Sequence, residues 1–157
     1  MGKVQATFVN SFPGAISRNV DDVVISMPNT GTGAIKFGDP VFFDSTNKGG
    51  KAWASGDAFT GFVGIATRIG VKTPDSYTSD EGQYNPGDIM SVIVRGSVCI
   101  KVDSGTPAPT GQVYLDASTG KWTATSTSNT AITNCKFRNA VGSNGVAEIV
   151  ITERNIQ

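Results

Sequence analysis

The stretch "GDIMSVIVRGSVCIKV", residues 87–102, carries the alternation of a β-strand twice, once on each side of a glycine. Apolar side chains hold every second place in both halves: Met90, Val92 and Val94, then Val98, Ile100 and Val102. Ile93 adds an apolar side chain on the opposite face, which predicts that the first half is covered on both sides. A glycine inside a strand usually marks a bulge or a bend, so Gly96 predicts one long strand that turns a barrel corner.

Further short strands are predicted on both sides of this one. They cover residues 22–27, 34–37, 40–44, 51–54, 62–68, 112–116, 121–125, 135–141 and 146–152. Turn sequences such as "STNKGG" and "ASTG" separate them, whereas residues 126–134 are compatible with a loop or a weak helical turn. Many short strands at regular spacing favour a single all-β domain, a β-barrel or a β-sandwich of the jelly-roll or tulip-like kind.

The first 21 residues differ from this pattern, because they carry Phe8 and Phe12 among polar neighbours and then a Pro-Gly pair. Aromatic side chains on a segment outside the strands need something to cover them. We therefore expect residues 1–21 to form an extended N-terminal arm on a β domain of residues 22–157. The two phenylalanines are expected to contact another molecule.

A long loop is predicted at residues 72–87, "KTPDSYTSDEGQYNPG", which contains two tyrosines, two prolines and three acids. Loops of this length without strands of their own are usually functional or disordered. We expect Tyr77 and Tyr84 to join the contact surface. The three acids match no calcium-loop spacing, so no metal site is expected there.

Composition excludes several classes of function. The 157 residues include 13 basic and 13 acidic side chains, and zero net charge gives no general attraction to nucleic acid or to an anionic membrane. The sequence has neither a membrane-length apolar run nor a signal-peptide pattern, which is typical of a protein made and kept in a cytoplasm. With no histidine, Ser-His-Asp and Cys-His catalysis are excluded. We expect Cys99 and Cys135 to be reduced thiols, and neither a cofactor nor a metal ion.

Two stretches repeat one another, "VFFDSTNKGGKAWAS" at residues 41–55 and "GQVYLDASTGKWTAT" at residues 111–125. Matched aspartates in matched units are the outline of an aspartic protease, in which two carboxylates share one proton. That site needs Asp followed by Ser or Thr and then Gly, and neither Asp44 nor Asp116 is followed by such a pair. We therefore predict that both aspartates accept backbone hydrogen bonds in hairpin turns, and that the protein is not an enzyme.

The order of these features resembles a known family, the head decoration proteins of tailed phages, also called capsid cement proteins. The pieces that carry the resemblance are "FPGAISR" (12–18), "GAIKFGDPVFFD" (33–44), "FTGFVGIATR" (59–68), "GDIMSVIVRGSVCIKV" (87–102) and "GQVYLDASTGKWTAT" (111–125). Together they cover most of residues 12–152, and the loop at 72–87 resembles an insertion. The family has no catalytic motif to carry over.

The resemblance implies a virion structural protein that decorates and stabilises the outer surface of an icosahedral phage capsid and is made in the host cytoplasm. Its partners would be the major capsid protein and copies of itself, with a homotrimer favoured over a homodimer. Neither nucleic acid nor a membrane is implied as a partner. The capsid or oligomer contacts would then include Phe8, Phe12, Tyr77 and Tyr84.

A carbohydrate- or receptor-binding module of a tail fibre or adhesin is the alternative. It rests on Trp53 and Trp122, which fall at matched places in the two repeats. Together with Tyr77 and Tyr84, the tryptophans would form a platform on which sugar rings stack. Packing on the edge of the core is the other interpretation of both tryptophans.

Overall fold

The computed structural model describes residues 12–68 and 82–155 of the chain. Its regular elements there are β-strands and one short 3-10 helix at Phe59–Gly61. The strands are β1 (Ile16–Pro28), β2 (Ile35–Lys36), β3 (Pro40–Asp44), β4 (Gly49–Lys51), β5 (Phe62–Ala66), β6 (Gln83–Tyr84), β7 (Ile89–Ser104), β8 (Gln112–Asp116), β9 (Trp122–Thr123), β10 (Asn129–Phe137) and β11 (Val146–Ile151). The predicted all-β fold is confirmed.

The second half of β7 closes a β-barrel. It pairs antiparallel with β11, and the sheet continues from β11 through β10, β8 and β9. β9 then returns to β7 in a parallel pairing, with Trp122 opposite Val102. The core of the barrel includes Ile100, Leu115 and Phe137. Of the two architectures that the sequence favours, the structure has the barrel.

The first half of β7 belongs to a second group of strands. It pairs with β1 on one side and with β5 on the other, and β3 and β4 continue the sheet beyond β5. A parallel bridge between Asn29 and Gly50 brings the chain after β1 against β4. This sheet curls around a second apolar core, which includes Ile35, Val41 and Tyr84.

This half of β7 is buried on both faces at its centre, as the sequence predicts, whereas Ile89 and Arg95 at its ends are exposed. Ile93 packs in the barrel core, whereas Met90, Val92 and Val94 pack in the second core. Because side chains alternate between the two faces of a strand, one strand can form a wall of both cores. β7 therefore joins the two halves of the molecule.

Gly96 lies where β7 passes from one group of strands to the other. Its φ of +119° is a backbone conformation that residues with a side chain rarely adopt. The pairing of β1 with β7 shifts register between Arg18 and Val23, and Asp22 lies directly against the glycine. A Cβ on Gly96 would lie 2.1 Å from Asp22 Oδ1 and 3.0 Å from its Cα. The predicted irregularity at Gly96 is confirmed, and the close approach of β1 explains it.

Some strand boundaries differ from the sequence prediction. β1 begins at Ile16, inside the segment assigned to the arm, because its backbone pairs with β7 at Val98. β10 begins at Asn129, where the sequence predicts a loop or a weak helical turn, because it pairs there with β8. β4 spans Gly49–Lys51 rather than residues 51–54, and β6 lies inside the predicted long loop. Pairing between strands thus outweighs local preference at these places.

Candidate functional site

Asp44 lies in the turn between β3 and β4. Its Oδ1 accepts the backbone N–H groups of Thr46 and Asn47, at 3.1 and 3.2 Å. Its Oδ2 accepts the Asn47 side-chain amide at 2.8 Å and the Thr30 hydroxyl at 2.9 Å. These side-chain hydrogen bonds, from Asn47 first and Thr30 second, lower the pKa of Asp44 to about 2.

Asp116 occupies the same position in the turn between β8 and β9. Its Oδ1 accepts the Ser118 hydroxyl at 2.6 Å and the N–H groups of Ser118 and Thr119 at 2.8 and 3.0 Å. The Ser118 hydroxyl makes the largest contribution to a lowered pKa of Asp116. The prediction that both aspartates accept backbone hydrogen bonds in hairpin turns is confirmed.

The two tryptophans do not form a platform for stacking sugar rings. Trp122 is buried, and its Nε1–H donates to the Gly38 carbonyl at 2.7 Å. Trp53 packs edge to face on Phe42, with 5.2 Å between ring centroids, and a Cβ on Gly120 would lie 2.4 Å from its ring. Trp53 therefore packs the β3–β4 hairpin against the turn between β8 and β9. The rings serve packing, and the repeat does not place them in equivalent positions.

The N-terminal segment is fixed where it meets the barrel. The Gly14 N–H donates to the Cys99 carbonyl, and the Arg68 N–H donates to the Gly14 carbonyl, both at 2.8 Å. Gly14 has a φ of +75°, and a Cβ there would lie 2.9 Å from Gly38 N. Only a glycine allows backbones to cross this closely. The motif "FPG" therefore ties β7 to the end of β5.

Phe12 stands beside this crossing with 51 % of its surface exposed. Arg68 Cζ lies 5.0 Å from the centroid of the Phe12 ring and 5.9 Å from that of Phe37, so the guanidinium contacts both rings. The Phe37 N–H donates to the Gly82 carbonyl at 2.8 Å, and a Cβ on Gly82 would collide with the Phe37 ring. We call Phe12, Phe37, Arg68 and Gly82 the Phe12 corner.

The predicted arm and the predicted loop both join the barrel at the Phe12 corner. Phe12 is the first described residue of the chain. Arg68 is the last described residue before the gap at 69–81, and Gly82 is the first one after it. Sequence analysis did not select Arg68 or Gly82, because their convergence depends on how β5 and β6 are placed by the sheets.

The four predicted contact residues have different positions. Phe8 and Tyr77 lie outside the described residues, and Phe12 is exposed on the corner. Tyr84 is fully buried, and its hydroxyl donates to the Thr67 carbonyl at 2.8 Å. Tyr84 thus presents no surface to another molecule in this structure, whereas Phe12 does.

A buried carboxylate fixes the strand that follows the corner. Glu148 on β11 is 7 % exposed, and its Oε1 accepts the Ser17 hydroxyl at 2.9 Å and the Arg18 Nε–H at 2.7 Å. The hydrogen bond from Arg18 outweighs the opposing effect of burial and lowers the pKa of Glu148. No local pattern reveals this pair, because the partners are 130 residues apart.

We expect Glu148→Gln to reduce the free energy of unfolding by about 1–2 kcal/mol at neutral pH, since hydrogen bonds to charged groups contribute about that much. The folded pKa of Glu148 lies below its unfolded value of about 4.3. The difference in the free energy of unfolding between the variant and the parent protein should therefore be largest above that pH and shrink as the pH falls below it. Urea unfolding at about pH 7 and about pH 3 measures this. Glu153→Gln, at an exposed position, is the control, and an equal loss at both pH values would contradict the assignment.

Other groups in the described residues have structural positions. Cys99 and Cys135 are buried and are not joined by a disulfide, and burial raises the pKa of the Cys135 thiol. Within residues 12–68 and 82–155, no three His, Cys, Asp or Glu side chains come together as metal ligands. The same residues include no helix that is long and apolar enough to cross a membrane.

The described residues thus combine two turn aspartates, two buried thiols and an exposed aromatic corner on a β-barrel. Comparison with protein families identifies a class of structural protein: the model for structural cement proteins (E217 gp24/Pam3 gp6) matches residues 3–152. Because the match covers nearly the whole sequence, the chain belongs to this family of phage cement proteins.

A solved structure described as the capsid of Myoviridae phage XM1 contains a similar chain. The two chains are 17 % identical with a TM-score of 0.76, and the similarity covers 97 % of this chain and 96 % of that one. At this level of identity, the likeness shows the fold. No curated protein matches the chain.

The chain is therefore a virion structural protein that decorates and stabilises a phage capsid, as the sequence resemblance implies. The capsid is its binding partner and the virion its location. The alternative of a sugar- or receptor-binding module is not favoured, because Trp122 and Tyr84 are both buried.

Proposed function

We propose that the protein binds the outer surface of the assembled capsid through the Phe12 corner. The observation that carries this proposal is that Phe12 is half exposed and yet held in place by Arg68. A side chain that is already fixed loses little conformational entropy when a partner covers it. Aromatic side chains and arginine are also enriched among the residues that dominate binding energy at protein interfaces.

The segments joined to the corner add contacts with the capsid or with other copies of the chain. Residues 1–11 contain Phe8 and residues 69–81 contain Tyr77, and both segments meet the barrel next to Phe12. Eleven residues in an extended conformation span at most roughly 36–40 Å. Such a reach lets a small barrel contact more than one neighbour on a capsid surface.

The protein acts as a homotrimer and by contact rather than by catalysis. Three corners on one particle give retention that a single weak contact does not, because the second and third contacts form intramolecularly. Zero net charge lets many copies crowd together without mutual repulsion. A trimer matches the local three-fold positions of a capsid, whereas a homodimer matches two-fold positions.

Rebinding to heads that lack the protein tests the proposal. We expect saturation at a fixed number of copies per local three-fold position, a trimer in sedimentation of the free protein, and slower disruption of decorated heads by heat or chelator. Density for the protein at the two-fold positions of decorated heads would indicate a dimer instead of a trimer. Failure to bind matured heads at every salt concentration would overturn the proposed capsid contact.

The turn aspartates provide a second test, because a contact function does not need them. We expect Asp44→Asn and Asp116→Asn to change the affinity for heads by no more than about twofold, the range of an exposed substitution. Head binding at increasing protein concentration measures this, with circular dichroism to confirm folding. A folded variant that no longer binds would show that a carboxylate belongs to the functional surface.

A further inference from the structure

An apolar groove lies near the start of β5, at the other end of that strand from Arg68. Its walls are apolar side chains of four strands: Ile25 and Met27 of β1, Phe43 of β3, Val63 of β5 and Val94 of β7. The groove has a volume of about 840 Å³, and Arg95 and residues 152–155 form its rim. We call it the β1–β3 groove.

The groove borders the second core. Val63 and Val94 are buried in that core, whereas Ile25, Met27 and Phe43 at its edge are only partly buried. Partly exposed apolar side chains of two strands that line one groove mark a place where another segment can bind.

We propose that the β1–β3 groove binds residues 4–8 of the N-terminal arm of a second copy of the chain. In the sequence "VQATF", Val4, Ala6 and Phe8 alternate with Gln5 and Thr7. When such a segment is extended, its apolar side chains share one face, which can enter the groove, and its polar side chains face solvent. Residues 4–12 contain no charged side chain, so binding of the segment in an apolar groove does not require the burial of a charge.

The direction of the described chain favours a second copy over the same chain. Followed backwards from Arg18 to Gly14, the neighbouring residue on β7 changes from Ser97 to Cys99, which leads away from Val94 in the groove. The arm would have to reverse its direction to enter its own groove. Extended, residues 1–11 span at most roughly 36–40 Å, a length that allows contact with a neighbouring molecule. The inference rests on the proposed homo-oligomer and makes the arm the element that holds it together.

Disulfide trapping tests the pairing directly in the full-length protein. With Phe8→Cys and Phe43→Cys in one chain, brief oxidation should give covalent trimers on a non-reducing gel. Each single variant is the control, because one new cysteine joins at most two chains and cannot produce a covalent trimer. The native cysteines are buried. A disulfide within one chain, or no disulfide in the double variant, would overturn the inference.

A charge placed in the groove gives an independent measurement. We expect Ile25→Lys to weaken self-association at least tenfold in sedimentation equilibrium, because the arm cannot cover a buried ammonium group. Val24→Lys is the matched control, since Val24 is on the same strand and 42 % exposed outside the groove. Loss of association in both variants, or in neither, would contradict the groove as the binding site.

The outcomes separate this inference from the proposed capsid contact. A double variant that forms covalent trimers but does not bind heads would overturn the capsid contact and support the groove. Covalent dimers as the largest species of the double variant would support arm exchange and overturn the trimer. If the double variant forms no disulfide between arm and groove but binds heads normally, only the proposed groove contact would be overturned.

Discussion

Phe12→Ala should weaken rebinding to heads roughly 150-fold while the barrel stays folded. Each subunit would lose the contact of a half-exposed aromatic ring, about 1 kcal/mol in a typical interface. Three subunits bound together would lose about 3 kcal/mol, which corresponds to the expected change in affinity. Occupancy of heads at increasing protein concentration measures this, with urea unfolding to confirm that the free energy of unfolding changes little.

Val24→Ala is the control for this substitution. Val24 is 42 % exposed, close to the exposure of Phe12, but lies on β1 opposite Ile93 rather than on the Phe12 corner. We expect it to leave head binding unchanged within about twofold. Equal losses for the two variants would mean that binding responds to apolar surface in general and that the corner has no special role. A fivefold loss for Phe12→Ala would indicate that only one subunit of the oligomer contacts the capsid through this ring.

Gly96→Val should cost about 3 kcal/mol or more of folding free energy. A φ of +119° is strained for any residue with a Cβ, which costs about 1–3 kcal/mol, and the new side chain would also overlap Asp22. Losses of this size are a large part of the total stability of a domain, about 5–15 kcal/mol. Urea unfolding followed by tryptophan fluorescence measures the change.

Gly33→Val is the matched control, because nothing lies within 4 Å of a Cβ at Gly33. Its expected effect is within about 0.5 kcal/mol. Asp22→Gly in the Gly96→Val background separates the causes, since it should recover the part due to overlap with the Asp22 side chain and leave the part due to φ and to the Asp22 backbone. A Gly96→Val protein as stable as the Gly33→Val protein would show that β1 does not need to cross β7 at this point.

The fold could be predicted from the sequence where the signal is local. The alternation in residues 87–102 predicts β7 nearly to its ends. The apolar Ile93 correctly predicts that the second face is buried at that position. The turn residues around Asp44 and Asp116 give both hairpins. In contrast, the start of β10 could not be predicted, because "STSNTAITN" becomes a strand only through pairing with β8.

The candidate binding surface could be predicted only in part. Phe12 was found because an aromatic outside the strands is a visible anomaly, but its partner Arg68 is brought to it by the crossing at Gly14. In the sequence, Tyr84 cannot be distinguished from an exposed loop tyrosine. The pairing of β6 with β2 nevertheless places it in the second core. The contact between Arg18 and Glu148 depends on tertiary structure alone.

The position of β7 in both cores has a mechanical consequence for a protein that holds a shell together. Neither core can separate from this strand and leave the other intact, so the molecule should unfold in one calorimetric transition rather than two. The two cores are connected by the continuous backbone of β7 and not by a flexible linker. A deformation of one core should therefore also deform the other. We therefore expect the two cores to resist deformation of the shell together and to lose their structure in one step.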